Sequence, residues 1–94
     1  MAHMLVHHQV KDYPTWKKTF DEHAATRKKN GEQSHELFCS DDDPNDVTIL
    51  MEFDTEAHAR GFAESDDLRQ VMERAGVVGK PEISYLTHVE RFAS

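Results

Sequence analysis

Residues 47–53, Val-Thr-Ile-Leu-Met-Glu-Phe, carry the clearest signal of the fold in this sequence. Apolar side chains occupy every second position, at Val47, Ile49, Met51 and Phe53. A period of two is typical of a β-strand with one face on a hydrophobic core. The alternate positions, Thr48, Leu50 and Glu52, point to the other face. The stretch therefore predicts a strand whose two faces differ in polarity, although Leu50 makes the second face partly apolar.

Upstream of this strand, the sequence predicts a strand followed by a helix. Residues 4–10 alternate in the same way and form the first strand. Asp12 offers an N-cap and Pro14 suits a first helical turn. Aromatic and polar side chains then recur at three- and four-residue spacing as far as Asn30-Gly31, which is a common helix stop. We therefore expect one helix over about residues 13–29.

The rest of the chain predicts a hairpin, two short helices and a last strand. Residues 34–40 form a second strand, and the turn-forming residues 41–46 connect it to the strand at 47–53. Thr55 and Ser65 act as N-caps for helices that end near Ala63 and Ala75. Alternation returns at residues 82–92, which form the fourth strand.

Strand, helix, strand, strand, helix, strand is the order of a ferredoxin-like α+β fold, βαββαβ. Such a chain forms an antiparallel four-stranded sheet in the order 4-1-3-2, with its helices on one face. We expect residues 4–92 to form one domain of this type. The open face carries Leu50 and Leu86, so it needs a cover. A second copy provides the simplest cover, because a two-fold interface uses the same patch twice. A homodimer is therefore predicted.

Composition excludes several classes of partner. The net charge of −7, from 18 acidic and 11 basic side chains, disfavours nucleic acid and anionic lipid. No apolar run approaches the roughly 20 residues of a membrane span, and the N-terminus lacks the pattern of an export signal. We expect a cytoplasmic protein. Cys39, the single cysteine, has no disulfide partner within the chain and is expected to be buried and inert.

Several segments resemble one known family. They are Lys11–Tyr13, Trp16–Lys17, Phe20–His23, Ser65–Arg69 and Ala75–Gly79. In order and spacing they are similar to the antibiotic biosynthesis monooxygenase-like, dimeric α/β-barrel proteins, over nearly the whole chain and most closely to small uncharacterised members. The resemblance implies a ligand cavity between the sheet and the helices of each subunit. It also implies, as one activity among several in the family, oxidation of polycyclic aromatic compounds by dioxygen without a bound cofactor.

Haem degradation is another activity in that family, and it depends on an asparagine, a tryptophan and a histidine near the first and third strands and the second helix. The only tryptophan here, Trp16, lies on the first predicted helix, which argues against haem. Many members have no assigned activity. A non-catalytic dimer, which binds a small apolar ligand or serves as a structural or stress-related module, is therefore the alternative to an enzyme.

The inward stripe of the first helix provides the candidate site residues. Its members are Tyr13, Trp16, Phe20, His23 and Arg27. Trp16 and Phe20 are typical of a helix packed on a sheet, which is the favoured interpretation, and they also suit the wall of a small aromatic ligand's pocket. His23 and Arg27 are candidates for binding an anion or orienting a phenolate, or for structural roles with protein partners. Tyr85 is a candidate hydrogen-bond donor to the ligand, or it bonds the backbone.

A cofactor-free oxygenase needs a base that converts an acidic phenol into an electron-rich anion, and histidine suits that role. His23 is the predicted catalytic base, with His8 as a further candidate and ligand contact. A metal site is the less favoured alternative. His7 and His8 are adjacent in a strand and point to opposite faces, so only one of them at a time can join His88 and Glu52 around an ion. We therefore predict no metal and no cofactor.

Overall fold

Four strands and four helices follow one another along residues 1–94, all of which are described by the computed structural model. The elements are β1 Ala2–Val10, α1 Tyr13–Glu22, α2 Ala24–Lys29, β2 Glu32–Cys39, β3 Asp46–Phe53, α3 Glu56–Ala63, α4 Asp66–Ala75 and β4 Val77–Leu86. All neighbouring strands are antiparallel, in the order β2-β3-β1-β4. The ferredoxin-like fold and its strand order are confirmed.

Side-chain caps begin three of the helices, at the residues where the sequence predicts them. Asp12 accepts a hydrogen bond from the backbone N–H of the third residue after it, and Thr55 and Ser65 do the same for α3 and α4. Gly76 ends α4 with φ 87°, a left-handed conformation that glycine adopts without a steric penalty. These local signals fix where the helices meet the strands.

The predicted single helix over residues 13–29 is in fact two helices that meet at His23. The backbone of His23 lies at φ −88° and ψ 1°, and its N–H is shared between the carbonyls of Thr19 and Phe20. Sharing between the i−4 and i−3 carbonyls tightens the last turn of α1 and departs from regular helix geometry. The break places a buried histidine at the junction of α1 and α2.

The fourth strand begins and ends earlier than the predicted residues 82–92. Gly79, with φ 73°, and Pro81 lie in a bulge opposite His8, and this irregularity masks the alternation at the start of β4. The strand ends at Leu86 because Leu86 pairs with His3, close to the beginning of β1 at Ala2. No length of β1 remains for later residues to pair with.

The helices cover one face of the sheet, and the core lies between them. Val47, Ile49, Met51 and Phe53 are all buried on this face, as their alternation predicts. Cys39 is exposed, which corrects the expectation that it is buried. It is the last residue of β2, an edge strand in which six of eight residues are exposed. None of the helices combines the length and apolarity needed to cross a membrane.

Candidate functional site

A small cavity lies between the helices and the sheet. Its volume is about 40 Å³, and 11 of its 14 lining residues are hydrophobic. The remaining three are His8, His23 and Arg27. An engineered apolar cavity of about 150 Å³ in another protein binds benzene, so this cavity is too small for an aromatic ring unless its walls move. Its size fits water or dioxygen.

His8 is the most unusual side chain in the cavity wall. It lies on β1 opposite Val47, is only 4% exposed, and neither of its ring nitrogens has a hydrogen-bond partner. Burial, with a smaller contribution from the charge of His7, lowers the pKa of His8 to about 4. His8 is therefore neutral at neutral pH. It presents one unused N–H donor and one unused lone pair in an apolar space.

His23 occupies another part of the wall and has a partner. Its Nε2 lies 2.9 Å from Oδ2 of Asp67 on α4. A carboxylate can only accept, so Nε2 carries the hydrogen and donates it. The His23 ring also stacks on Phe62 of α3, with centroids 6.0 Å apart. His23 thus links the α1–α2 junction to both later helices.

Arg27 uses its donors on the protein itself. Its Nη1 donates to the carbonyl of Phe20 at 2.5 Å and its Nε donates to Glu32 at 3.1 Å. The guanidinium carbon lies 3.7 Å from the centre of the Phe20 ring, which is a cation–π contact. Burial lowers the pKa of Arg27, and the nearby Glu32 carboxylate opposes that effect. These contacts give Arg27 a structural role beside the cavity.

The two aromatic residues predicted as walls do line the cavity. The rings of Trp16 and Phe20 stack with centroids 4.9 Å apart, and the Trp16 ring meets His8 edge to face at 5.6 Å. Tyr85 does not line it. Arg60 of α3 lies over the Tyr85 ring at 4.0 Å, and burial there raises the pKa of the phenol. At this position of the edge strand β4, the neighbouring side chain is therefore Arg60 of α3, not the aromatic wall of α1.

The histidines considered as metal ligands lie in separate places. His7, on the face opposite His8, contacts Asp46 through Nε2 at 2.5 Å and Glu82 through Nδ1 at 3.3 Å. His88 lies beside His3, with ring centroids 5.6 Å apart, and Glu52 pairs with His3. No group of three His, Cys, Asp or Glu side chains is arranged to hold a metal ion. The combination of His7 or His8 with His88 and Glu52 is not assembled.

Sequence reasoning missed Asp67 as a neighbour of the cavity. Acidic residues in the first turn of a helix complement the macrodipole, so Asp66 and Asp67 look alike in the sequence. Only the packing of α4 against α1 distinguishes them, because it brings Asp67 to a histidine 44 positions earlier in the chain. No local signal marks that contact.

Comparison with known proteins shows which solved structures share this fold. No family model and no curated protein matches the sequence. Among solved structures, SnoaB, a cofactor-independent oxygenase from Streptomyces nogalater, superposes with a TM-score of 0.79 at 13% identity, covering 99% of this chain and 97% of that one. An antibiotic biosynthesis monooxygenase gives 0.73 at 12% identity, covering 96% and 100%. A proposed antibiotic biosynthesis monooxygenase from Caulobacter crescentus CB15 gives 0.73 at 20% identity, covering 95% and 90%. Over nearly its whole length, the chain has the fold of the antibiotic biosynthesis monooxygenase-like proteins.

Proposed function

We propose that this protein binds a small hydroxylated aromatic compound in the cavity between helices and sheet and oxidises it with dioxygen, without a resident cofactor. The observation that carries the proposal is His8, a buried imidazole with no partner for either nitrogen. An unpaired buried polar group costs about 1–3 kcal/mol, so it calls for an explanation. A ligand hydroxyl in the cavity would accept or donate the missing hydrogen bond. The fold shared with a cofactor-independent oxygenase supports the same reading.

In this proposal, His8 accepts the proton of the ligand's acidic hydroxyl. The low pKa of about 4 describes His8 in the empty apolar cavity. An anion formed beside the ring favours the imidazolium, because opposite charges at close range stabilise each other. The resulting electron-rich anion is the form that reacts with dioxygen. Where the reacting position is an enolisable CH₂, one oxygen atom becomes the new carbonyl and the other leaves as water with the two hydrogens, so no outside reductant is needed.

His23 has the second role in the proposal. The contacts around His23 differ from those around His8, because Nε2 of His23 is already held by Asp67. An oriented histidine keeps its other nitrogen as an acceptor, so His23 is the second candidate for the base. Trp16 and Phe20 supply flat apolar surface for the ring. Met4, Met51 and Met72 also line the cavity, and their flexible side chains suit a space that must enlarge for its ligand.

Oxygen uptake with anthrone tests the proposal, because the CH₂ of this tricyclic ketone enolises to give a hydroxyl group on an aromatic ring. We expect the protein to accelerate uptake, and we expect His8→Phe to lower the rate about 10²-fold, the usual contribution of a general base. His58→Gln changes an exposed histidine of α3 that does not line the cavity and should keep the rate. His23→Phe tests the second candidate. Unchanged turnover in His8→Phe would remove His8 from the mechanism.

The alternative function is a non-catalytic binding or structural module. The small volume of about 40 Å³ favours it, because a nearly filled core needs no ligand. Trp16 is the only tryptophan and lines the cavity, so its fluorescence reports binding there. Saturable quenching by anthrone under anaerobic conditions, without oxygen uptake in air, would indicate a binding module. Neither signal would indicate a structural role.

We also propose that the protein is a homodimer joined through the open sheet face. Leu5 pairs with Leu50 in the middle of this face, and both side chains are only half-buried. Phe38 and Leu86 are 51% and 42% exposed, and the strand register places them on the same side. These four side chains form a diagonal apolar line across the four strands, with polar residues on either side of it. Exposed apolar groups arranged in this way on an open sheet face favour a partner that covers them.

Light scattering measures the assembly directly. We expect a particle of twice the 10.8 kDa chain mass. Leu50→Lys should shift the protein to the monomer, because it places two like charges in the middle of a two-fold interface. Lys17→Leu alters a partly exposed position of α1, on the helix-covered side of the sheet, and should leave the dimer intact. A monomeric wild-type protein at micromolar concentration would contradict the proposal.

A further inference from the structure

We propose that the contact between His23 and Asp67 is a latch that closes the entrance to the cavity; as a route for ligand entry, it rests on the proposed function. A pocket of about 310 Å³ opens to the surface beside α1, α2 and α4. Only His23 and Val71 line both this outer pocket and the inner cavity. These two side chains therefore form the partition between this outer pocket and the space around His8.

The hydrogen bond that holds His23 in this partition joins unequal environments. The His23 side chain is 9% exposed, whereas the Asp67 carboxylate is 60% exposed. Water competes for an exposed carboxylate, and such pairs contribute little to stability. The ring is also held by stacking on Phe62, but that contact survives sliding of the rings better than a hydrogen bond does. Release of Asp67 is therefore the step that frees His23.

The backbone around His23 permits this movement. His23 is the junction residue that ends α1 and precedes α2, and its dihedral angles already depart from the helix. Junction residues can absorb a change in φ and ψ at a smaller cost than residues in the middle of a helix, and the N–H of His23 is already shared between two carbonyls of α1. On the other side of the partition, Val71 offers only an apolar contact. The latch thus lies at the junction of α1 and α2.

Opening is required for the proposed ligand. The inner cavity of about 40 Å³ admits no aromatic ring. Joined to the outer pocket, it becomes a channel that ends at His8. The mouth of that channel is polar, with Glu22 and Arg74 beside Asp67, and its inner end is apolar. A ring enters with its hydroxyl toward His8 when the latch swings aside.

Quenching of Trp16 fluorescence by acrylamide measures this opening. Trp16 is 3% exposed and lines the inner cavity, so a small neutral quencher reaches it only through an opening. We expect Asp67→Ala to raise the bimolecular quenching constant about three- to fivefold, the range that corresponds to the loss of an exposed pair. Asp66→Ala is the matched control. It removes the neighbouring acid of the same helical turn, whose nearest cation, Arg69, lies 3.9 Å away. Its quenching constant should equal that of wild type.

Two further measurements separate the latch from general loosening. His23→Phe keeps an aromatic ring against Phe62 but loses the hydrogen bond, and it should quench like Asp67→Ala. Latch opening exposes little surface, so the quenching constant should stay nearly constant in low urea. If Trp16 were instead exposed by unfolding, the quenching constant would rise with the urea concentration. Equal quenching in wild type and Asp67→Ala, or quenching that follows urea unfolding, would overturn the latch. Quenching needs no turnover, so the latch can hold even if anthrone oxidation fails.

Discussion

Replacing Arg27 with methionine is expected to lower the free energy of unfolding by about 3–5 kcal/mol, the usual cost of removing one partner from a buried ion pair. The Arg27 side chain is 3% exposed and the Glu32 side chain 10% exposed. Methionine fills a similar volume but leaves the Glu32 carboxylate buried without its cation. It also leaves the Phe20 carbonyl without its donor. Urea unfolding followed by circular dichroism measures the change.

A double variant identifies the cause. Arg27→Met combined with Glu32→Gln should recover a large part of the loss, because no unpaired charge remains. Arg27→Lys keeps the charge but cannot reach both Phe20 and Glu32 with a planar fork, so it should lie between wild type and Arg27→Met. The control Arg69→Met breaks exposed pairs with Asp66 and Glu73, which should cost at most about 1 kcal/mol. A loss in Arg27→Met no larger than in this control would show that the buried pair is not important for stability.

Acid is expected to destabilise the protein through His8 between about pH 6.5 and pH 4, the ordinary and the folded pKa of that group. A depressed pKa means that the unfolded chain binds the proton more readily, so stability is full above the ordinary pKa and falls as the pH decreases. The shift corresponds to a loss of up to about 3 kcal/mol. His8→Phe should remove this dependence. It should also be at least as stable as wild type at pH 7, because no unpaired nitrogen remains.

The neighbouring histidine provides a control of opposite sign. The hydrogen bond to Asp46 raises the pKa of His7, so its contribution is present below the ordinary pKa and is lost as the pH rises. The free energy of unfolding of wild type minus that of His7→Gln should therefore increase as the pH falls. The free energy of unfolding of wild type minus that of His8→Phe should decrease as the pH falls. Unfolding free energies measured at several pH values test both. An unchanged acid dependence in His8→Phe would show that His8 is not the group that titrates.

Together, these variants separate stability from function at the cavity. His8→Phe should gain stability while losing turnover, which is the usual trade-off where a polar group is kept for its chemistry. Arg27→Met should lose stability because its donors serve the protein. If His8→Phe lost both stability and turnover, His8 would instead have a structural role that its unpaired nitrogens do not indicate. The two residues line the same cavity but differ in what they do there.

The alternation of strands and helices, and with it the fold, could be predicted from the sequence alone. Val47–Phe53 alternates because one side of β3 meets the core, and Asp12, Thr55 and Ser65 begin helices by accepting backbone hydrogen bonds nearby. These signals act over two to four residues, so they can be read directly. The inward stripe of the first helix also placed Trp16 and Phe20 against the cavity, since helical spacing fixes which face a residue occupies.

The hydrogen-bond partners of the polar side chains could be learned only from the tertiary structure. His8 and His23 are both candidate site histidines in the sequence, yet His8 has no hydrogen-bond partner and His23 bonds Asp67. Tyr85 faces the helices as expected but lies under Arg60, away from the cavity. Each outcome depends on the position of one helix or strand along the axis of its neighbour. Periodicity specifies the face of an element but not its position along its neighbour, and a hydrogen bond depends on that position to within a few tenths of an ångström.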